Sequence, residues 1–381
     1  MCSNHVFIGE AGALKNSLHQ ALDYVRFRLP HNQVIIKPNL VQPFRSGTGN
    51  ITDRKVVKAL IDVLLERHAI RKIIIAESSC ITQDTVEAFE RSGYSALQGY
   101  KSMVSLVDLK QEVYGERRGY LRKPHILHGK TLINVPVLKG HPQVTLTCAL
   151  KNLKGLCCDE DKKMIHAQGL QDKLRHLEEI VPDLNLVDAT RCRSSFGPKD
   201  VSFLNRIIVG KDPLLVDAVA ARMVGLDIED IPYLAEIFHA GNRQPRVNID
   251  IPVLAHWQPF VDSVSFPGAD IYLGDSCNHC IDPAVQFAGM SEAHGTRSRR
   301  IYLKATRILT RMVQKPARKD PKISNGRKPV IVIGRLASGV TLPRNRPVIY
   351  MGNCAMENPH DKGFLRPGCP PSFEGLENIV S

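Results

Sequence analysis

Residues 34–64 read VIIKPNLVQPFRSGTGNITDRKVVKALIDVL, a strand and then a helix in succession. Val34-Ile35-Ile36-Lys37 is an apolar run of strand length stopped by Pro38, which has no N–H to continue a ladder. Asp53 is an N-cap residue, and Val56, Leu60, Val63 and Leu64 behind it recur at helical spacing on one face. The next strand is Arg71 to Ala76, then Asp84 to Arg91 reads as a helix with Gly93 behind it. Strand followed by helix followed by strand is the grammar of a parallel sheet.

The same alternation continues to about residue 240. Strand-like runs return at Val104 to Val107, Thr131 to Val135, Leu184 to Val187 and Ile207 to Val209. After the last of these, Asp212 is an N-cap and Pro213 stands at the first helical position. Val216, Val219, Ala220 and Met223 make the buried stripe, and Gly225 closes the helix. The expectation is an α/β fold, a mainly parallel sheet flanked by helices on both faces, with ligands at the carboxyl ends of its strands. Beyond Asn242 the texture turns irregular, with Pro245, Pro252, Pro259, Pro267 and Pro283 and the single Trp257. The expected division is therefore an α/β ligand-binding domain at 1–242 and a smaller α+β cysteine-bearing unit at 243–381. No internal repeat is visible.

A chain of 381 residues, 43% hydrophobic and 23% charged, has ordinary globular composition, which excludes fibrous and low-complexity classes. No apolar run approaches the roughly 20 residues of a membrane span. The start, Met1-Cys2-Ser3-Asn4-His5, lacks a basic and apolar leader, so the expected location is cytoplasmic. The net charge of +13 is local. Between Arg297 and Arg346 there are 15 Lys and Arg against one acid, Asp320, so the other 331 residues sum to −1. Nucleic acid is therefore not an expected partner except through this insert (297–346). Its aromatic content, Tyr302 alone, does not suit base stacking. The plain reading of the insert is a solvated charge run, and a docking segment for RNA, an acidic membrane surface or another partner is the sharper one.

Ten cysteines are too few for a disulfide scaffold at this length, so metal binding or catalysis is the better use. Cys277-Asn278-His279-Cys280 has two thiols two residues apart. Cys354 follows Gly352-Asn353, and Cys369 sits in Pro367-Gly368-Cys369-Pro370-Pro371. Four thiolates, Cys277, Cys280, Cys354 and Cys369, are the complement of a 4Fe-4S cluster, with tetrahedral zinc as the alternative. The Gly-Cys-Pro-Pro ending resembles the cluster-binding loop of nickel-iron hydrogenase small subunits and the related subunit of respiratory complex I.

The densest chemistry is mid-chain: Lys139-Gly140-His141, Lys151-Asn152-Leu153-Lys154-Gly155 and His166. A strand ending near Pro136 delivers Lys139 and His141 to the ligand edge, and Lys37-Pro38-Asn39 ends another. Several ammonium groups sharing a cleft call for an anion, so the expected partner is an anionic small molecule. The candidate ligand-binding residues are Lys37, Asn39, Lys139, Lys151, Asn152, Lys154 and Asp188. The candidate catalytic groups are His141, Lys151 and His166. Taken singly, each has a bland reading: a solvated lysine, a structural histidine, a turn residue at Asp188. Cys157-Cys158 read as small apolar residues.

At these residues the sequence resembles the uncharacterised family catalogued as domain of unknown function 362. The matching pieces are Ile35-Ile36-Lys37-Pro38-Asn39, Asn134 to His141, Ala149 to Gly155, His166, Asp188, Asp212-Pro213 and Asp217-Ala218. Members often carry ferredoxin-type cluster domains, so the resemblance implies an iron-sulfur protein. This chain lacks a CxxCxxC run, which leaves the single four-cysteine set. His141, Lys151 and His166 also fall at intervals similar to those of lactate racemase, where such residues serve a nickel-pincer nucleotide; the glycine-rich surroundings of that lysine are missing here. The leading expectation is an iron-sulfur protein with a redox or electron-transfer role, an oxidoreductase if an enzyme, working with a redox partner protein. The alternatives are a racemase- or isomerase-like enzyme with a structural four-cysteine site, and a non-catalytic binding protein.

Overall fold

Pro38 ends the second strand, as the sequence predicts, and the chain turns there toward a helix capped by Asp53, whose carboxylate accepts from Lys55 N at 2.9 Å. The structure, a computed structural model, describes residues 5–117, 119–141, 144–167, 170–194, 200–245, 249–257, 263–265, 270–273, 330–333, 342, 348–351 and 364–366. Cys277, Cys280, Cys354 and Cys369 lie outside the described residues, as does most of the basic insert.

The first unit runs β1 (Val6–Glu10), α1 (Leu14–Tyr24), β2 (Gln33–Pro38), α2 (Arg54–Arg67), β3 (Lys72–Glu77), α3 (Thr85–Ser92) and β4 (Val104–Asp108). It continues with β5 (Thr131–Val135), β6 (Val137–His141), β7 (Thr145–Thr147), α4 (Ala149–Asn152), α5 (Asp159–Ala167) and α6 (Leu170–Lys173). The last elements are β8 (Leu184–Arg193), β9 (Val201–Ser202), β10 (Arg206–Gly210), α7 (Pro213–Met223) and α8 (Pro232–Ala240). The helix starts follow local chemistry. Asp84 accepts from Val86 N and Glu87 N, and Asp212 from Leu214 N and Leu215 N. Gly93 ends α3 at φ 76°, a left-handed conformation that a Cβ would strain.

The sheet order is β1-β10-β8-β5-β2-β3-β4, with β6, β7 and β9 attached at β8. Strands β8, β5, β2, β3 and β4 are parallel, and β10 and β1 close one edge antiparallel. Alternate side chains feed two cores. Val34, Ile36, Ile73, Ile75, Ile133 and Val135 pack against α1, α2 and α3. Ile35, Ile74, Ala76 and Leu132 face the other way, toward Leu150, Val216, Val219 and Tyr233. Helices on both faces explain why β2 and β3 are continuous apolar runs. Each fully buried Leu or Ile contributes about 1.5–3 kcal/mol.

The expected boundary at 242 differs from the division of contacts, which puts residues up to Pro259 with the first unit, apart from 196–198. The reason is Trp257, which is buried in the same core as α7 and donates from its backbone to Val224 O at 2.8 Å. Its indole donates to Ser202 Oγ. A Pro-rich composition marks an irregular strap here.

In the second unit β11 (Ser263–Ser265) pairs antiparallel with β12 (Asp270–Leu273). Then β12, β13 (Val330–Ile333), β14 (Val348–Met351) and β15 (Phe364–Arg366) follow in parallel. Their last residues, Leu273, Ile333, Met351 and Arg366, stand in one register row. Val330, Val332, Val348 and Tyr350 form a small core with Tyr272 and Leu342. Among the described residues, no helix is long and apolar enough to cross a membrane.

Candidate functional site at the carboxyl edge of the first sheet

The crossover from β2 leads to β3 on one side, while β5, on its other side, feeds β6 and β8. The sheet therefore has a switch point between the carboxyl ends of β2 and β5, the place where α/β folds bind ligands. Lys37, Asn39, Asn134 and Lys139 all lie there.

The inner part is a closed polar network. Lys37 is 1% exposed, and its Nζ donates to Glu77 Oε2 at 2.8 Å, Pro38 O at 2.7 Å and Asn152 Oδ1 at 3.3 Å. Burial pushes its pKa down, against the opposing pull of Glu77. Glu77 also accepts from Leu40 N and Ser78 N, so both oxygens are engaged. Asn39 Nδ2 donates to Asn152 Oδ1, and Asn152 Nδ2 to Asn134 Oδ1. Asn134 Nδ2 continues to Ala149 O and Asn185 Oδ1. A chain of amides thus runs under the sheet edge with every link satisfied.

The Lys-Asn-Leu-Lys-Gly motif owes its glycine to this network. A Cβ on Gly155 would stand 2.2 Å from Glu77 Oε1 and 2.6 Å from Lys37 Nζ, so only glycine can cover the pair. The preceding turn, α4, carries Lys151 and Asn152, and Asp217 of α7 holds it in place. The Asp217 carboxylate accepts from Ala149 N at 2.5 Å and Leu150 N at 3.1 Å. Burial pushes its pKa up to about 7.

Asp188 is likewise buried. It accepts from Asp53 N at 2.7 Å, Thr190 N at 3.0 Å and Thr190 Oγ at 2.6 Å, and burial raises its pKa to about 6. It fixes the start of α2 to β8, which is a positioning role.

Lys139 links this inner network to an outer layer. Its Nζ donates to Asn39 Oδ1 at 3.1 Å and to Asn50 O at 2.6 Å. His141 ends β6 opposite Thr145 and is 6% exposed; Lys151 is 9% exposed and Lys154 half-buried. His166 is in α5, with its side chain outside the described set. The structure thus joins Lys37, Asn39, Lys139 and Asn152 directly. It sets Asp188 beside them on the α2 cap.

Three residues at this edge escaped the sequence reading. Glu77, at the end of the strand adjacent to Lys37, is the lysine's internal counter-ion. Arg191 and Arg193 of β8 reach the loop before α2, donating to Gly47 O and Thr48 O. The available signal was an acid one strand away from a buried lysine, and two arginines at alternate positions after Asp188.

Cys80, Cys148, Cys157, Cys158 and Cys192 are free thiols. Burial pushes the Cys157 thiol up to about 12, consistent with a small apolar residue. Among the described residues no group of three or more His, Cys, Asp or Glu side chains is disposed to hold a metal ion.

The fold and its edge define a doubly wound α/β domain with a lysine- and asparagine-rich centre at the switch point. Residues 34–222, from β2 into α7, match the model of the family described as Domain of unknown function (DUF362). A thylakoid-associated protein of Synechocystis sp. is 26% identical over 280 residues, covering 68% of this chain and 84% of the relative.

Proposed function

We propose that the chain is an iron-sulfur protein with a redox role, whose α/β unit binds an anionic ligand at the carboxyl edge of its sheet. In this reading Lys139, Lys151 and Lys154 supply the charge, and Lys37, Asn39, Asn152 and Asp188 hold the edge in shape. Cys277, Cys280, Cys354 and Cys369 hold a 4Fe-4S cluster, which supplies one-electron chemistry when bound, and a redox partner protein exchanges electrons with it in the cytoplasm.

The observation that carries the cluster half is the register row in the second sheet. Cys277 comes four residues after Leu273, Cys354 three after Met351 and Cys369 three after Arg366, and those three strand ends lie in one row of parallel strands. Neighbouring strands are about 4.8 Å apart. Three or four residues of chain reach roughly 10–14 Å. The chain lengths therefore allow the four thiols to meet. The donor set suits the group, since four thiolates are its usual complement.

Anaerobic purification tests this, with absorption spectra and iron, sulfide, zinc and nickel analysis on wild type and a Cys354→Ala/Cys369→Ala variant. The expected result is a brown protein with about four irons, lost in the variant. A colourless protein with about one zinc would overturn the redox role and leave a structural metal.

A further inference from the structure

The inner network brings an amine, a carboxamide and a carboxylate together out of water. Lys37 Nζ lies 3.3 Å from Asn152 Oδ1 and 2.8 Å from Glu77 Oε2, and Lys37, Asn152 and Glu77 are 1%, 3% and 2% exposed. The three sit on β2, α4 and β3, and Lys37 and Asn152 are 115 residues apart in sequence. Only the folded chain brings them together.

An amine and a carboxamide are unreactive toward each other in water, and each obstacle is lowered here. An ammonium has no lone pair to attack with. Burial pushes the Lys37 pKa down against the opposing pull of Glu77, and the Glu77 carboxylate stands within hydrogen-bond reach to take the proton. A carboxamide is a weak electrophile. Asn39 Nδ2 donates to Asn152 Oδ1 at 2.9 Å, so negative charge developing on that oxygen meets a donor already in place. Free side chains seldom meet in a reactive orientation. Here Asn152 Nδ2 is tied to Asn134 Oδ1 at 2.8 Å and Lys37 Nζ to Pro38 O at 2.7 Å, and such fixation is worth effective molarities of roughly 10⁵–10⁸ M when the geometry is right. Gly155 covers the site. A Cβ there would stand 2.6 Å from Lys37 Nζ and 2.2 Å from Glu77 Oε1, so the glycine lets the backbone close over the pair and keep out competing water.

We propose that Lys37 and Asn152 join in an intramolecular isopeptide bond, with Glu77 as the proton acceptor. Glu77 takes one proton from the Lys37 ammonium, and the free amine moves about 1.2 Å, one C–O bond length, from Oδ1 to attack Asn152 Cγ. The Nζ–Cγ bond forms and the Cγ–Nδ2 bond breaks. A second proton of Nζ goes to Nδ2, which leaves as ammonia, and the third stays on the new amide nitrogen. Glu77 keeps the first proton. Nothing is oxidised or reduced, and two buried charges become a neutral amide and a neutral acid, which removes their desolvation cost. The bond staples β2 to α4 beneath the ligand edge. It needs neither a ligand nor a cluster, so it stands or falls apart from the function proposed above.

The test is mass spectrometry of the full chain, incubated in the folded state for several days, then denatured and digested with trypsin. The intact mass should lie about 17 Da below that of the sequence, the loss of one ammonia. Trypsin does not cut before Pro38, so the linked product is Leu29–Arg45 joined to Asn152–Lys154. Glu77→Gln keeps the shape of the side chain and removes the proton acceptor, and Asn152→Ala removes the acyl carbon; both should show their full sequence mass, with folding checked by thermal melting. The wild-type peptide map decides the bond whether or not either variant folds. Recovery of the two peptides from wild type as separate species, with Lys37 and Asn152 unmodified, would overturn the proposal. So would a bond from Lys37 to Glu77, marked by a loss of about 18 Da as water, or a folded Glu77→Gln chain linked to the wild-type extent.

Discussion

The inner and outer ends of the same sheet edge use lysine in opposite ways. Lys37 is enclosed, paired with Glu77 and covered by Gly155, whereas Lys139 reaches from half-buried β6 onto a loop shared with two arginines. The inner lysine holds strands and α4 together; the outer one contributes field at a surface. Buried charge with a matched partner is a structural commitment, and charge nearer the surface is freer to act over distance.

The largest effect that would break this contrast lies at Glu77. Glu77→Ala leaves the Lys37 ammonium buried and unpaired, with an expected loss of about 3–5 kcal/mol in urea unfolding. Arg193→Ala, at a half-buried side chain whose Nε donates to the neutral Thr48 O, should cost less than that. Comparable losses from the two would show that the outer layer is structural as well.

The next effect is a pH dependence carried by two buried aspartates. Asp217 and Asp188 have folded pKa values raised to about 7 and about 6, against about 3.9 for an unfolded Asp. The folded state binds the extra protons, so stability is greatest below about pH 4 with respect to these groups and falls as pH rises toward 7. Asp217→Asn should flatten the upper part of that fall, measured by denaturation at a series of pH values. An unchanged profile would remove Asp217 as its source.

Smaller again is Gly49→Ala, which forces a left-handed φ on alanine and crowds Arg191 O; about 1–2 kcal/mol is expected from the backbone alone. It should also loosen the loop whose carbonyls accept from Lys139, Arg191 and Arg193. The smallest effect is on Lys139→Gln, which keeps a donor to Asn50 O and removes a charge. Its stability should change little, while the salt dependence of ligand binding becomes shallower.

Much of the fold is legible wherever local chemistry punctuates the chain. Pro38, Asp53, Asp84, Gly93, Asp212 and Pro213 stop or start elements by properties of their own backbones, and those elements appear where the sequence puts them. The antiparallel edge is less legible, because β1 and β10 are short apolar strands whose direction is set by partners far away in sequence. At the site, Lys37, Asn39, Lys139 and Asn152 do converge. What the pattern could not supply is which charge is internally matched: Glu77 is 40 residues from Lys37, and the pairing needs β2 and β3 to lie side by side. Arg191 and Arg193 were hidden for a related reason, since their common face depends on an irregular register that leaves no mark in residue type.

The edge strand β1 spans Val6–Glu10 and finds its ladder in β10, at Arg206–Gly210. During synthesis that partner emerges some 200 residues later, on the order of 10–40 s at roughly 5–20 residues per second. Strand β1 is therefore paired late, after the interior of the sheet has been made. Its short length and the polar residues around it keep an unpaired edge from recruiting a neighbouring nascent chain in the interval.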